Sequence, residues 1–292
     1  RQIQLNSPPM PERVVTTEGS TVFTRADIER GRQVWQSMGG MQLGSIWGHG
    51  AYVAPDWSAD WLHREAIAIL DIWARREHGL DSHKVLDAPT RAAYTSRLQA
   101  LMRTNTWDEA SATITLDADR VAAKREVAAH YVSLFGNEPE TAALREAYAM
   151  RNDTVADAGH REAMTAFFWW VSWSQATERP GQEISYTANW PADELVGNTP
   201  PPSAFLWTVF SVLFLIAGVA LLGWHHARQH DATPVLPASD PLAGMRITPS
   251  MRATAKYFWV VLALFLVQIL LGAITAHYQV EGQEAYGFML SD

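Results

Sequence analysis

The chain has 292 residues, a formal net charge of −8 and no cysteine. Without cysteine there is no disulfide, thiolate metal site, thioether-linked haem or thiol nucleophile, and the acidic balance argues against a nucleic-acid binder, which needs a basic stripe. The mean hydropathy of −0.11 averages two unlike regions: residues 1–203 hold 19 of the 23 Lys/Arg and 26 of the 31 Asp/Glu, whereas two later stretches carry no charge.

Helical periodicity dominates residues 1–203, and the length allows one to three domains. The run TRAD at 24–27 is a capping arrangement, followed by Ile28, Gly31, Val34 and Trp35 at helical spacing. Ser58 is the expected cap of a helix whose apolar stripe is Trp61, Leu62, Ala66, Ile69, Leu70 and Trp73. Pro89 suits the first turn of a helix to about Arg103. Residues 113–116 (TITL) read as a short strand, and Asp117 as the cap of a helix to about Phe135, closed by Gly136 and Asn137. A short helix is expected over 141–150. Residues 160–176 form a helix that is apolar all round from Ala163 to Trp173, which predicts burial against other protein or a membrane surface. Residues 182–203 read as loop, ending in Pro200, Pro201 and Pro202 as a stiff hinge. Ten of the 13 Trp lie in this region, as core or as docking surface.

Residues 204–224 and 257–276 are 21 and 20 residues without a charge. At 1.5 Å per residue each reaches about 30 Å, the thickness of a bilayer core. Trp207, Trp224, Tyr257 and Trp259 stand near their ends, as an aromatic belt does. The segment between them, 225–256, has four cations against two acids and four prolines. It reads as a loop on the cytoplasmic side, which places an acidic domain of residues 1–203 in the outer compartment. Such a domain needs an export signal, and the chain begins at Arg1 without one, so an upstream signal or anchor helix and a continuation past Asp292 are expected.

Two places carry candidate chemistry. Residues 39–56 (GGMQLGSIWGHGAYVAPD) hold five glycines in eighteen residues. Such a run is a turn-rich surface loop or a wrap whose backbone carbonyls meet a ligand, calcium being one that accepts them. Past the second apolar stretch, His277 and Glu281 stand at i and i+4. If the helix continues they share a face at the outer interface. The pair either solvates a helix end or supplies the bases that quinol oxidation needs. The other histidines form no ligand pattern; His225, His226 and His230 read as solvated residues of the cytoplasmic side.

The SMGGMQ run at 37–42, GSIWGHGAYVAPDWSADWLHRE after it, FFWWVSWSQATERPGQEISYTANWP, the proline hinge, both apolar spans and the HYQVEGQ tail together resemble quinol-dependent nitric oxide reductases of the haem-copper oxidase superfamily. The resemblance implies a mainly α fold: a haem-free, cytochrome c-like domain followed by transmembrane helices of a polytopic bundle. It covers the amino-terminal part of such an enzyme. Related proteins carry C-x-x-C-H where this chain has Ser37, Met38, Gly39, Gly40 and Met41, so no c-haem attaches and electrons come from a membrane quinol. By the same resemblance His277, Glu281 and Phe288 belong to the quinol site, starting the outer segment 277–292. The Gly50 carbonyl and Tyr52 hydroxyl match calcium-site positions, with His49 where relatives carry Glu. The b-type haems and non-haem iron that reduce two NO to N2O are expected in the rest of the bundle, which is a partner together with quinol and membrane lipid. The implied location is a bacterial inner membrane, multi-pass, with the domain facing the periplasm. A homodimer is compatible with all of this. The alternative is a non-catalytic membrane-anchored module with a degenerate cytochrome c fold.

Overall fold

The computed structural model describes residues 7–48, 50, 53–229 and 248–278. It divides into two compact units, residues up to Pro201 and the helical unit Pro202–Ile274.

The first unit is a helical body with a small sheet at one edge. Strands β1 (Arg13–Thr16) and β2 (Thr21–Thr24) form a hairpin, and β3 (Trp107–Asp108) and β4 (Thr113–Leu116) form a second. The hairpins join through parallel pairing of β1 with β4, Val14 opposite Ile114, giving the order β2-β1-β4-β3. Val14 and Ile114 are both buried. Only β4 was legible in the sequence. Four-residue strands have too little alternation to reveal themselves, and β1 finds its parallel partner far along the chain.

Helix α1 (Arg25–Ser37) starts where expected. The Thr24 side chain accepts from the Asp27 N–H while the Asp27 carboxylate accepts from the Thr24 N–H at 2.7 Å, a reciprocal capping box. Helix α2 (Trp57–His78) starts before Ser58. Its cap is Asp56, whose carboxylate accepts from the Ala59 N–H. Asp, the stronger acceptor, takes the cap position, and Ser58 becomes a donor to it. Helices α3 (Ala88–Arg103), α4 (Ala118–Leu134) and α6 (Ala158–Ala176) are capped by Asp87, Asp117 and Asp157. The expected helix near 141–150 is the short α5 (Ala142–Ala147).

Helix α6 is the centre of the domain. Every residue from Ala163 to Ala176 is buried, so its all-round apolar surface is covered by its own domain and not by lipid or another protein. It crosses α1 at Gly31, where an added Cβ would stand 2.1 Å from the Ala163 carbonyl oxygen. Half of the domain's ten Trp are likewise deep core: Trp57, Trp61, Trp73, Trp169 and Trp173 are each 0–1 % exposed. That removes the docking-surface reading for these five. A buried ion pair ties α2 to α4, with Arg120 Nε donating to Glu65 at 3.0 Å and the Trp61 indole N–H donating to its other oxygen at 3.0 Å. Both carboxylate oxygens are thereby satisfied, which is the condition under which such a pair survives burial.

The second unit consists of α7 (Pro202–Gln229) and, as far as Ile274, α8 (Pro249–Tyr278). Both are longer than the uncharged stretches. Pro202, expected in the hinge, opens α7, as suits a proline in a first turn, and residues 249–256, expected as loop, are the first turns of α8. Each contains a 24-residue segment, Phe205–Arg228 and Pro249–Gly272, long and apolar enough to cross a membrane, with no residue of its most apolar window buried. A long, largely apolar and unburied surface of this kind is what lipid solvates.

Candidate functional site

The glycine-rich segment joins α1 to α2. It leaves α1 through a short 3-10 turn, Gly40–Leu43, and closes on Asp56. The Asp56 carboxylate, 7 % exposed, gathers the described residues at the end of the segment. Its Oδ2 accepts from Ser45 Oγ at 2.6 Å and from the Gly48 N–H at 2.7 Å. Its Oδ1 accepts from Ser58 Oγ and, at 3.0 Å, from the Ala59 N–H. Ser45 Oγ in turn accepts from the Gly50 N–H at 2.6 Å. Trp47 pins the outside of the segment, donating from its backbone to Ser58 Oγ and from its indole to the Val171 carbonyl at 2.8 Å.

Gly50 has a φ of +87°, and a Cβ there would meet the Ala54 carbonyl at 2.9 Å. Both facts require glycine. Tyr52 and His49 lie outside the described residues, so of the two positions expected to hold calcium only Gly50 is described. The nearby Asp56 carboxylate has all its favourable directions filled by four donors. A cation at Gly50 would draw its charge from other carboxylates.

Behind the segment the interior is aromatic. Trp57 stacks on Phe168 with ring centroids 5.9 Å apart and meets Phe135 edge-on at 5.2 Å. Trp61 stacks on Tyr131 at 5.1 Å. The Tyr131 hydroxyl donates to Asp60 at 2.6 Å, and Arg64 donates to the same oxygen at 2.8 Å. Burial, with Asp60 beside it, raises the Tyr131 pKa far above the phenol range, so Tyr131 is a neutral structural donor.

A covalent c-haem does not fit this chain. The five positions Ser37 to Met41 offer neither thiol nor imidazole, and Ser37 Oγ is engaged with the Val34 carbonyl at 2.8 Å. The fully buried aromatic side chains between α2, α4 and α6 belong to the domain's hydrophobic core.

Beside this cluster, burial and the neighbouring Arg64 guanidinium push the His130 imidazole down to about 4. Its Nε2 is buried without a hydrogen-bond partner among the described residues. The folded state therefore keeps it neutral between about pH 4 and the ordinary histidine value near 6.5, while the unfolded chain takes up a proton. Stability is lost as pH falls through that window. We expect His130→Gln to flatten the pH dependence of thermal unfolding there by about 2 kcal/mol, the full shift being discounted for partial exposure. Parallel curves for both proteins would contradict the burial argument.

At the other end of the chain, His277 is the penultimate residue of α8. Glu281 and Phe288 lie outside the described residues. What sequence reasoning missed in the first unit is Asp56 as organiser of the glycine-rich segment. The signal was present, since an Asp closes a glycine-rich run directly before an apolar helical stripe.

The comparisons agree with this architecture. No curated protein matches the chain, but the family model for the cytochrome c-like domain of the nitric oxide reductase protein NorB matches residues 11–192. That span takes in both hairpins, helices α1 to α6 and the segment held by Asp56, so the chain belongs to the NorB nitric oxide reductase family through its cytochrome c-like domain.

Proposed function

We propose that this chain is the outer domain and adjoining membrane helices of a quinol-oxidising nitric oxide reductase, in which the outer domain caps the haem bundle and carries no electrons. One observation carries the reading. The domain keeps the family's framework, yet Ser37 to Met41 lack every haem-attaching group and the interior is packed with aromatic rings. An outer c-haem route is closed, so the reductant enters elsewhere.

Joining two NO into N2O and water consumes two electrons and two protons, the yield of one quinol. The b-type haems and non-haem iron held by the rest of the enzyme supply the electron path and the NO-binding metal. This chain's part lies past the second apolar span. There His277 and Glu281 take the quinol protons, and Phe288 packs on the ring. The positive loop between the spans orients the domain to the periplasmic side of a bacterial inner membrane. Gly50 and Tyr52 contribute a carbonyl and a hydroxyl to a calcium ion completed by carboxylates of the bundle.

The test uses the complete enzyme with two donors. Reduced quinol should sustain NO consumption, and a reduced soluble c-type cytochrome should not. His277→Ala and Glu281→Ala should each lower quinol-driven turnover about a hundredfold with haem content unchanged. Unaltered turnover in both variants, or efficient use of the cytochrome, would remove the quinol assignment.

A further inference from the structure

A cleft of about 500 Å³ opens between the β1–β2 hairpin and helix α4, with the start of α6 at its rim. It is remote in sequence from the Asp56 segment and from His277, and the proposed function does not use it. Two consecutive cations of α4, Lys124 and Arg125, line it, and neither makes a hydrogen bond or ion pair among the described residues. The Lys124 ammonium is partly buried, 5.3 Å from the centre of the Phe23 ring. The ring face gives it some compensation but no acceptor for its three N–H bonds. Burial lowers its pKa, and Arg125 adds to this, against the more distant pull of Glu162, Glu65 and Asp27; the ammonium is desolvated with no carboxylate in direct contact among the described residues. The hydroxyls of Ser20 and Thr21 line the same space. Among the described residues, no hydrogen bond engages either hydroxyl. Glu162 adds the one carboxylate, and Val121 part of an apolar wall.

We propose that this cleft binds a small hydroxycarboxylate, its carboxylate held by Lys124 and Arg125 with the Ser20 and Thr21 hydroxyls, and its hydroxyl donating to Glu162. The volume suits a small organic ligand. A carboxylate supplies the acceptors that Lys124 lacks, and a hydroxyl supplies the donor that lets Glu162 face an anion. A bare inorganic anion would leave Glu162 repelled, so the site discriminates by the hydroxyl.

L-malate, succinate and sulfate serve as probes for calorimetry on the full chain in detergent. Malate should bind, and succinate and sulfate, which carry no hydroxyl, should bind at least about tenfold more weakly, a difference of about 1.4 kcal/mol. Lys124→Met should abolish malate binding, and Lys124→Arg, which keeps the charge and guards against a folding artefact, should retain it. Lys124 is one of three lysines in the chain, so acetylation by acetic anhydride can be followed residue by residue by mass spectrometry. Malate should protect Lys124 while Lys84 and Lys256 react unchanged. Absence of malate binding, equal binding of sulfate, or unprotected Lys124 would each overturn the proposal.

Discussion

Gly31→Val is expected to destabilise the outer domain by about 4 kcal/mol, more than ordinary overpacking costs. At the α1–α6 crossing a Cβ on residue 31 would stand 2.1 Å from the Ala163 carbonyl oxygen and 2.9 Å from the Phe167 Cβ. Neither is the end of a flexible side chain. The helices would have to separate, and α6 is buried along its length from Ala163 to Ala176, so the shift would propagate into Phe168 and Trp169. The helix-propensity term runs the other way, since valine is somewhat better than glycine inside a helix. Denaturant unfolding of the full chain, followed by tryptophan fluorescence, therefore separates the two effects. A neutral or stabilising Gly31→Val would show that the crossing is not closely packed.

Asp56→Ala should cost a comparable amount, about 4 kcal/mol, by a different route. Four donors, from Ser45, Gly48, Ser58 and Ala59, converge on this carboxylate. Removing it orphans all four and uncaps α2 at once. Ser45 would also release the Gly50 N–H it now accepts, so amide exchange at Gly48 and Gly50 should accelerate by more than global unfolding explains. Asp56→Asn keeps one acceptor oxygen and should lose about half as much. Retained protection at Gly48 and Gly50 in the alanine variant would mean that the segment is held by Trp47 and its other anchors instead. Because the segment carries Gly50, the same variant should weaken any calcium binding there.

Much of the helical framework was legible in the residues. The caps at Thr24 and Asp117 announced themselves because a side-chain oxygen at a helix start acts on N–H groups three residues away, within the reach of local sequence. The two apolar spans were legible for a similar reason, as twenty uncharged residues suffice to identify a segment that lipid can solvate. The absence of thiol and imidazole at residues 37–41 likewise needed no coordinates. Other features had only a non-local signal. Ser58 and Asp56 are both competent caps, and the choice fell to Asp56 because Ser45 and Gly48, brought round by the loop, complete its shell. Val14 acquired a partner in Ile114 only when the two hairpins met.

The sequence by itself determined where α1 and α4 start, which segments suit a bilayer and that no thioether-linked haem can attach, because these follow from covalent chemistry and from interactions spanning a single helical turn. Tertiary structure alone decided that the apolar run 163–176 is an internal core and not a docking or membrane face, that Glu65 and Arg120 are one buried pair, and that Lys124 and Arg125 of α4, without an ion pair among the described residues, face a cleft. Burial and pairing depend on which surfaces meet across the fold, and a one-dimensional pattern sets the supply of such surfaces without assigning their partners.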